Sequence, residues 1–338
     1  MTHVLVARQD NAGDVLLAGP AVRAVAAGAQ RVTLLCGPAG AEAARLLPGV
    51  DEVVVQGAEW IAADPQPVRR EDVERRIDEL AALRADRALV LTSFHQSPLP
   101  LALLLRMAGV AVIGAISEDY PGTLLDVRHH VPDDLHEARR GLSLARAMGF
   151  ALPAGDDDRL RVRRPGGYPP ATGHVVVHPG ASVPARAWAP DGHAALVRAL
   201  ARRGRRVIVT GAPSERTLTR HVAGTDALDL GGRTSLGELA DLLAGAACIV
   251  VGNTGPAHLA AAVGTPVVSL FSPVVPSEWW RPYGVPTVQL GNQLAGCRDS
   301  RARDCPLPGH PCLSEVSTDD VIAAVDRLTA RAVAGVSG

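Results

Sequence analysis

The chain of 338 residues is 47% hydrophobic and 20% charged, a composition typical of soluble globular proteins, and it is long enough for two domains. Its formal net charge of −1 excludes the general electrostatic attraction by which many proteins bind nucleic acids or anionic membrane surfaces. All 34 basic residues are arginine, so the absence of lysine excludes Schiff-base chemistry and the P-loop lysine.

Apolar, strand-like runs alternate with helical segments in the first half of the chain. The sequence Met1-Thr2-His3 leads directly into the first run without a basic segment, so we expect no signal peptide and a cytoplasmic location. The most apolar stretch, residues 99–116, contains Arg106 and breaks at Gly109, which favours a buried helix and a strand over a membrane span. The strand-like runs are residues 3–8, 31–37, 52–57, 87–94 and 110–116, and a helix is predicted for residues 15–27.

The same pattern restarts after a segment rich in Pro and Gly, residues 159–173, which is typical of a linker. Continuous apolar strands separated by helices predict parallel sheets covered on both faces. We therefore predict an α/β fold with two Rossmann-like domains, residues 1–165 and 172–338, that face each other across a cleft. The final helix either stays with its own half or packs back on the N-terminal domain. The second set of strand-like runs is residues 174–180, 205–211, 229–232, 247–253 and 266–271.

Ligands of such sheets bind beyond the carboxyl ends of the strands, so the loops that follow the strands are the candidate sites. After the first strand, Asp14 follows Gly13 at or near the start of a helix. It is either an N-cap or first-turn acid stabilised by the helix dipole, or a carboxylate that faces the cleft. Asp10 is the neighbouring alternative.

Three loops of the second half carry polar candidates. Ser182 and Arg186 follow the strand at 174–180, and an arginine there can clamp a phosphate, although most arginines are solvated surface residues. Trp188 is expected to anchor this loop. Glu215, near a helix start, is either a dipole-favoured acid or an acceptor of ribose hydroxyl hydrogen bonds. Ser235 and Glu238 have the spacing of a capping box, which predicts an ordinary helix start.

The stretch "VVGNTGPAHLAAAVGTPVVSLF", residues 250–271, carries the most informative loop. An apolar strand stops at Gly252-Asn253-Thr254-Gly255-Pro256, and His258 follows in the first turn of an Ala-rich helix. Such a turn offers backbone N–H groups and the positive end of a helix dipole, which together bind anions. The sequence contains neither GxGxxG nor GxxxxGK[ST], so it lacks a dinucleotide fingerprint and a P-loop.

The five cysteines, an odd number, fit a cytoplasmic chain with reduced thiols. Cys297, Cys305, Cys312 and His310 lie close together in sequence, and these residue types bind zinc or iron. Their spacings lack the C-x-x-C of a structural zinc site, so reduced loop thiols are favoured over a metal site, and both interpretations stay open.

Taken together, the blocks "RQDNAGDVLL", "HPGAS…ARAWAPDGHAAL", "VIVTGAPSE" and the long block ending in "VVGNTGPAHLAAAVGTPVVSLF" resemble glycosyltransferase family 9, the ADP-heptose transferases. Their order and spacing match over nearly the whole chain. The resemblance implies a GT-B fold and an inverting, metal-independent enzyme without a cofactor. It also implies that the N-terminal domain binds the acceptor and the C-terminal domain binds the sugar nucleotide.

The resemblance assigns roles to individual residues. Asp14 matches the family's catalytic acid, here the expected base. Arg186 matches a position, usually lysine, that contacts the donor phosphate, and Glu215 matches an acid near the nucleoside. Thr254, Gly255 and His258 match the pyrophosphate turn, so the bound anion is expected to be a sugar-nucleotide pyrophosphate, with Ser182 assisting.

Three positions depart from the family pattern. Asn253 replaces the usual aspartate, Arg186 replaces lysine, and "LFSPV" at 270–274 replaces the common "LFGPT". The first change removes a charge that could orient the donor, and arginine presents a planar fork where lysine presents a point charge. These departures concern donor identity and leave the predicted fold unchanged.

The expected partners are a nucleoside-diphosphate sugar donor and a glycan, lipid-linked or small-molecule acceptor, with transient contact to a membrane surface and no nucleic acid. Two alternatives stay open. One is a GT-B-like sugar-nucleotide epimerase, and the other is a non-catalytic sugar-nucleotide binder. The binder would tolerate the loss of Asp14. The acceptor loops are predicted at residues 92–100 and 117–131. Their candidate residues, each singly more typical of core or surface positions, are His95, Asp119, Tyr120 and His130.

Overall fold

The computed structural model describes residues 2–62, 64–166 and 172–334, with backbone only for 331–334. The chain divides into two compact units, Met1–Arg163 and Arg164–Gly338. The division falls inside the predicted linker, of which residues 167–171 lie outside the described residues. Among the described residues, no helix combines the length and the apolar composition that crossing a bilayer requires.

The described part of the first unit is a parallel six-stranded sheet with helices between its strands. Its strand order is β3-β2-β1-β4-β5-β6, the order of a doubly wound Rossmann sheet. The strands are β1 His3–Arg8, β2 Arg31–Cys36, β3 Glu52–Val55, β4 Arg87–Val90, β5 Val112–Ile116 and β6 Val127–His129. The helices are α1 Ala12–Leu17, α2 Gly19–Gly28, α3 Ala41–Leu46, α4 Arg70–Leu83, α5 Leu99–Met107 and α6 Glu137–Ala147.

The second unit repeats this plan in its described residues, with the order β12-β11-β10-β7-β8-β9. Counted from its own first strand, this is again the order 3-2-1-4-5-6. The strands are β7 His174–His178, β8 Val207–Val209, β9 Leu228–Asp229, β10 Ala246–Gly252, β11 Val267–Leu270 and β12 Thr287–Leu290. The helices are α7 Pro190–Arg202, α8 Arg216–Ala223, α9 Leu236–Ala244, α10 Gly255–Ala262, α11 Ser277–Trp280, α12 Pro311–Ser314 and α13 Thr318–Ala334.

The central strands are buried on both faces, which explains their unbroken apolar sequences. All of β1 is buried, and so are the ends of β7 and β10 that precede the candidate loops. In each sheet the order of strands reverses beside the first strand, between β1 and β4 and between β7 and β10. Val251 pairs with His178, so the loops that follow β10 and β7 begin side by side. Ligands of doubly wound sheets bind at this switch point.

The predicted α/β fold with two Rossmann-like units is confirmed, and several local predictions need correction. The single helix predicted for residues 15–27 is two helices, α1 and α2, separated at Ala18. The strands β6 and β12 were not predicted, because each is short and neither has a continuous apolar run. The apolar stretch 99–116 forms the helix α5 and the strand β5, as predicted. The last helix, α13, packs on α7, β10, β11 and β12 of its own unit.

Candidate active site

A buried arginine at the carboxyl end of β1 contacts three carboxylates. Arg8 Nη2 donates a hydrogen bond to Asp14 Oδ1 at 3.1 Å, and Nη1 donates to Glu137 Oε2 at 3.3 Å. Nε lies 2.8 Å from Asp10 Oδ2 but does not point at it, so this contact is an ion pair rather than a hydrogen bond. Burial opposes the charge of Arg8, but the three acids outweigh burial and raise its pKa.

Asp14 is the member of this cluster that solvent reaches. Its side chain is 19% exposed, compared with 4% for Asp10 and 1% for Glu137. Burial raises the pKa of Asp10, with the nearby Asp14 acting in the same direction and Arg8 acting against it. Asn11, not Asp14, is the N-cap of α1, and Asp14 lies in the first turn. Between the two aspartates of the first loop, Asp14 is therefore the one that a substrate can contact.

The loop after β4 completes this cluster. Ser93 Oγ accepts a hydrogen bond from Arg8 Nη2 at 2.9 Å, and Gln96 Nε2 donates to Asp10 Oδ1 at 2.5 Å. The predicted acceptor residues lie farther out: His95, Asp119, Tyr120 and His130 are all exposed. The structure thus places these four at the surface.

The anion-binding turn of the second unit begins where β10 ends. The helix α10 starts at Gly255, and its N-cap, Thr254, is extended with φ −139° and makes no side-chain capping hydrogen bond. The Thr254 N–H donates to the Gly252 carbonyl at 2.9 Å, and Pro256 has no N–H. Gly255 is therefore the residue of 254–256 whose amide N–H can bind a ligand. The sequence alone suggested several such N–H groups at this turn.

Polar side chains around this turn are buried without partners. Asn253 is 6% exposed and His258 is 5% exposed. Both amide atoms of Asn253, the Thr254 hydroxyl and Nδ1 of His258 have no hydrogen-bond partner among the described residues. A buried polar atom without a partner costs about 1–3 kcal/mol, so their concentration at a helix N-terminus indicates a ligand-binding surface.

Arg186 lies next to this turn. It ends a short 3-10 helix, Pro184–Arg186, in the loop after β7. A Cβ atom at Gly252 would lie 3.0 Å from the Arg186 carbonyl, so glycine allows the two loops to pack closely. Burial lowers the pKa of His258 to about 4, and the charge of Arg186 acts in the same direction. His258 is therefore neutral at pH 7, with a cationic guanidinium close to it.

Glu215 lies against the other side of the β7 loop. Its Oε2 accepts a hydrogen bond from the Ala212 N–H at 2.7 Å and lies 3.9 Å from Nε2 of His178. A Cβ atom at Gly180 would lie 2.1 Å from Oε1 of Glu215, so a larger residue there would displace the carboxylate from this position. The side chain is 21% exposed, which leaves it accessible to a ligand.

Three further predicted features of the second unit are Ser182, Trp188 and the capping box. Ser182 is exposed in the loop after β7, and its role in donor binding stays a prediction. Trp188 is 5% exposed and packs edge-on against His193, as expected for a loop anchor. Ser235 and Glu238 form the predicted capping box at the start of α9.

The cysteine-rich segment has no arrangement of metal ligands. Cys297 and Cys312 are buried, Cys305 is half-buried, and Cys312 Sγ lies 3.8 Å from Ser272 Oγ. His310 Nε2 is 3.1 Å from the Ala185 carbonyl oxygen. Across residues 2–62, 64–166 and 172–334, no three His, Cys, Asp or Glu side chains form a group that could hold a metal ion.

Sequence reasoning missed Arg8 and Glu137 as parts of the site. It predicted the β4 loop, residues 92–100, as an acceptor loop but named His95 there rather than Ser93 and Gln96, which contact the cluster. The signal for Arg8 was present, since a charged residue that ends an entirely buried strand needs a counter-charge. Glu137 gave no local signal, because it lies 129 positions from Arg8 and only the packing of α6 brings it there.

Several known proteins are similar in sequence to this chain. A family model described as "Glycosyltransferase family 9 (heptosyltransferase)" matches residues 74–310. Lipopolysaccharide heptosyltransferase 3 of Escherichia coli is 30% identical over 170 residues, which are 48% of this chain and 49% of that protein. The chain thus spans about half the length of that relative. Lipopolysaccharide heptosyltransferase 1 of Pseudomonas aeruginosa is 29% identical over 310 residues, 83% of this chain and 82% of that protein.

Solved structures share the fold. A glycosyl transferase of family 9 from Veillonella parvula has a TM-score of 0.77 at 16% identity, and the match covers 98% of this chain and 97% of that protein. The ADP-heptose LPS heptosyltransferase II of E. coli has a TM-score of 0.74 at 19% identity, and the match covers 98% of this chain and 99% of that protein. These matches, together with the two parallel sheets, establish a GT-B fold.

Proposed function

Because the chain belongs to glycosyltransferase family 9, we propose that it transfers a heptose from ADP-heptose to a hydroxyl group of a glycan or glycoconjugate, with inversion at the anomeric carbon. The observation that carries this proposal is the set of buried, unpartnered polar atoms at the N-terminus of α10. The oxygens of a diphosphate would accept hydrogen bonds from the donors of this set, which are the Asn253 amide nitrogen, the Thr254 hydroxyl and Nδ1 of His258 in the tautomer that carries its proton there. The names of the relatives, lipopolysaccharide heptosyltransferases, favour heptose as the sugar.

The second unit supplies the groups that bind the leaving group. As the bond between the anomeric carbon and the diphosphate oxygen breaks, negative charge grows on the diphosphate. The Gly255 amide, the positive end of α10 and the Arg186 guanidinium are the groups placed to stabilise that charge. His258 and Thr254 add hydrogen bonds from uncharged side chains. Glu215 is assigned to the ribose hydroxyls of the nucleoside, since its carboxylate is partly exposed beside the β7 loop.

The first unit supplies the base. Asp14 takes the proton of the acceptor hydroxyl while that oxygen attacks the anomeric carbon, so one C–O bond forms as the other breaks and nucleoside diphosphate leaves. Direct displacement by the acceptor inverts the configuration of that carbon. Asp14 is partly exposed and held by a hydrogen bond from Arg8, which fits a carboxylate oriented for this step.

We assign no metal or cofactor to the reaction. The positive charge that a divalent cation would bring to the diphosphate is provided here by Arg186 and the helix N-terminus. Asn253 lies at this turn as a neutral amide, so the turn itself adds no carboxylate that would bind a cation. Cytoplasmic action on a sugar nucleotide, with transient contact to a membrane surface that carries the acceptor, is part of the same proposal.

The test is an assay of donors and products with the purified chain. ADP-heptose, UDP-glucose and GDP-mannose are each incubated with a heptose-free lipopolysaccharide core, and the released nucleotide and the product mass are measured. The proposal predicts ADP release coupled to addition of one heptose, and an inverted anomeric centre by NMR. Conversion of the donor to an epimer without transfer would support an epimerase instead. Tight donor binding with no turnover would support a non-catalytic binder.

A further inference from the structure

A single guanidinium ties together three segments of the first unit. Arg8 ends β1, Asp10 and Asp14 lie on the loop and helix that follow it, and Glu137 begins α6. Arg8 contacts the carboxylates of Asp10, Asp14 and Glu137 at 2.8, 3.1 and 3.3 Å, respectively. Its side chain is 5% exposed, so these contacts are hardly screened by solvent.

Glu137 is the most buried acid of this cluster. Its side chain is 1% exposed, and Arg140 Nε, one turn along α6, lies 3.2 Å from its Oε1. Burial raises the pKa of Glu137, while the charges of Arg8 and Arg140 act against the rise. A carboxylate buried this deeply is costly unless it is paired, and Glu137 is paired with both Arg8 and Arg140.

The geometry divides the cluster into an anchor and an exposed end. Nη1 of Arg8 is fixed on Glu137, while Nη2 is shared between Asp14 and Ser93. The guanidinium is planar and rigid, so fixing Nη1 sets the direction in which Nη2 presents its hydrogens. Asp14 receives its orientation through that nitrogen. When Asp14 takes a proton and loses its charge, Arg8 still has two carboxylate partners, so the cluster needs no rearrangement during the reaction.

We infer that Glu137 is a positioning residue for transfer, which acts through Arg8 to hold the Asp14 carboxylate in the orientation that the acceptor hydroxyl requires. The inference rests on the proposed function, because it assigns Glu137 to the step in which Asp14 acts as base. It adds to that function a residue that touches neither donor nor acceptor. A small misplacement of a reacting group lowers turnover strongly without a comparable change in binding.

The test is Glu137→Gln, which keeps the shape of the side chain and removes its charge. We expect kcat to fall about 10- to 100-fold, the scale of a misplacement of about 1 Å. The acceptor KM and the ADP affinity are expected to stay within about two-fold. Glu137→Asp, which keeps the charge but withdraws the carboxylate, is expected to give an intermediate kcat. If Glu137→Gln does not fold, Glu137→Asp carries the test, and a wild-type kcat in it contradicts the inference.

A double variant separates positioning from a general structural role. If Glu137 acts through Asp14, adding Glu137→Gln to Asp14→Asn has no further effect on the residual turnover, because the group that it positions is gone. If the losses of the two single variants multiply instead, Glu137 acts independently of Asp14 and the inference is wrong.

The matched control is Asp156→Asn. Asp156 is a half-buried acid of the first unit whose side chain is 9% exposed; it is paired with Arg23 and Arg161, each at 2.8 Å, and lies outside the cluster. Its loss is expected to lower the melting temperature and to leave kcat per folded molecule unchanged. Wild-type kcat in Glu137→Gln, with Asp14→Asn inactive, would overturn the inference and leave the proposed function intact. Full turnover in Asp14→Asn would overturn the proposed function itself.

Discussion

Replacing His258 with alanine is expected to weaken the binding of ADP. His258 is 5% exposed, and its Nδ1 has no hydrogen-bond partner among the described residues. Burial lowers its pKa to about 4, and the charge of Arg186 adds to this effect, so at pH 7 the ring is neutral. The tautomer with the proton on Nδ1 can donate to a phosphate oxygen. A hydrogen bond to a charged oxygen contributes about 1.5–3 kcal/mol, which corresponds to a Kd about 10- to 150-fold higher in the variant.

The stability of ligand-free His258→Ala is expected to change less than the truncation of a buried ring alone would predict. Removing the ring leaves a cavity, which for large buried side chains costs roughly 2–5 kcal/mol. The same substitution removes a buried nitrogen that has no partner, which returns about 1–3 kcal/mol. The two effects oppose each other, so the melting temperature is expected to fall only modestly while the ADP affinity falls strongly.

The assay is isothermal titration calorimetry with ADP at pH 7, well below the melting temperatures of the proteins compared. His193→Ala is the matched control, because His193 lies in the same unit, is 1% exposed and also has an Nδ1 without a partner among the described residues. It packs on Trp188 and is expected to lose stability but not ADP affinity. An unchanged ADP affinity in His258→Ala, or an equal loss in both variants, would refute the reasoning.

Three further outcomes are expected. First, Gly180→Ala is expected to raise the Kd for ADP about as much as Glu215→Ala does, because the new Cβ would lie 2.1 Å from the Glu215 carboxylate. The double variant is expected to raise the Kd no further, and additive losses measured by calorimetry would contradict this. Second, EDTA is expected to leave the transfer rate unchanged, and a rate restored only by Mg²⁺ or Mn²⁺ would contradict metal independence. Third, burial lowers the folded-state pKa values of His178 and His258 to about 4 and of His193 to about 3, from an ordinary 6.5. The unfolded chain therefore binds more protons below pH 6.5, and stability is expected to fall as the pH drops from 6.5 towards 4, by at most about 1.4 kcal/mol per pH unit for each histidine. A denaturation midpoint that stays flat over that range would show that these histidines are not buried in the neutral form.

Most of the fold was predictable because its signals are local. The strands of both sheets, apart from β6, β9 and β12, are apolar runs that sequence periodicity detects, and their alternation with helices specifies parallel sheets. The strand β9 is only Leu228–Asp229, whereas the predicted strand was residues 229–232. The strand β6 was missed because only three residues, Val127–His129, pair at a sheet edge. The break at Ala18 was missed because the apolar pattern runs on through Gly19-Pro20, where α2 begins.

The candidate site was predictable only where one segment contains it. The turn at Gly252–His258 is a motif contiguous in sequence, and the structure brings Arg186 beside it. The roles of these residues stay predictions. The Arg8–Glu137 pair was not predictable, because it depends on how α6 packs against α2 and the sheet and on the direction of two side chains. A sequence pattern shows that a buried charge needs a partner, but not which distant acid provides it.

The most direct measurement of the central claim is the single-turnover rate of heptose transfer in Asp14→Asn, with ADP-heptose prebound at a saturating concentration. Removal of a general base typically costs about 10²–10⁴-fold in rate, and the contacts proposed for the donor diphosphate lie on the second unit. The account predicts a single-turnover rate lower by that factor, with a Kd for ADP-heptose within about two-fold of wild type. A wild-type rate in Asp14→Asn, or a rate loss explained entirely by weaker donor binding, would contradict it.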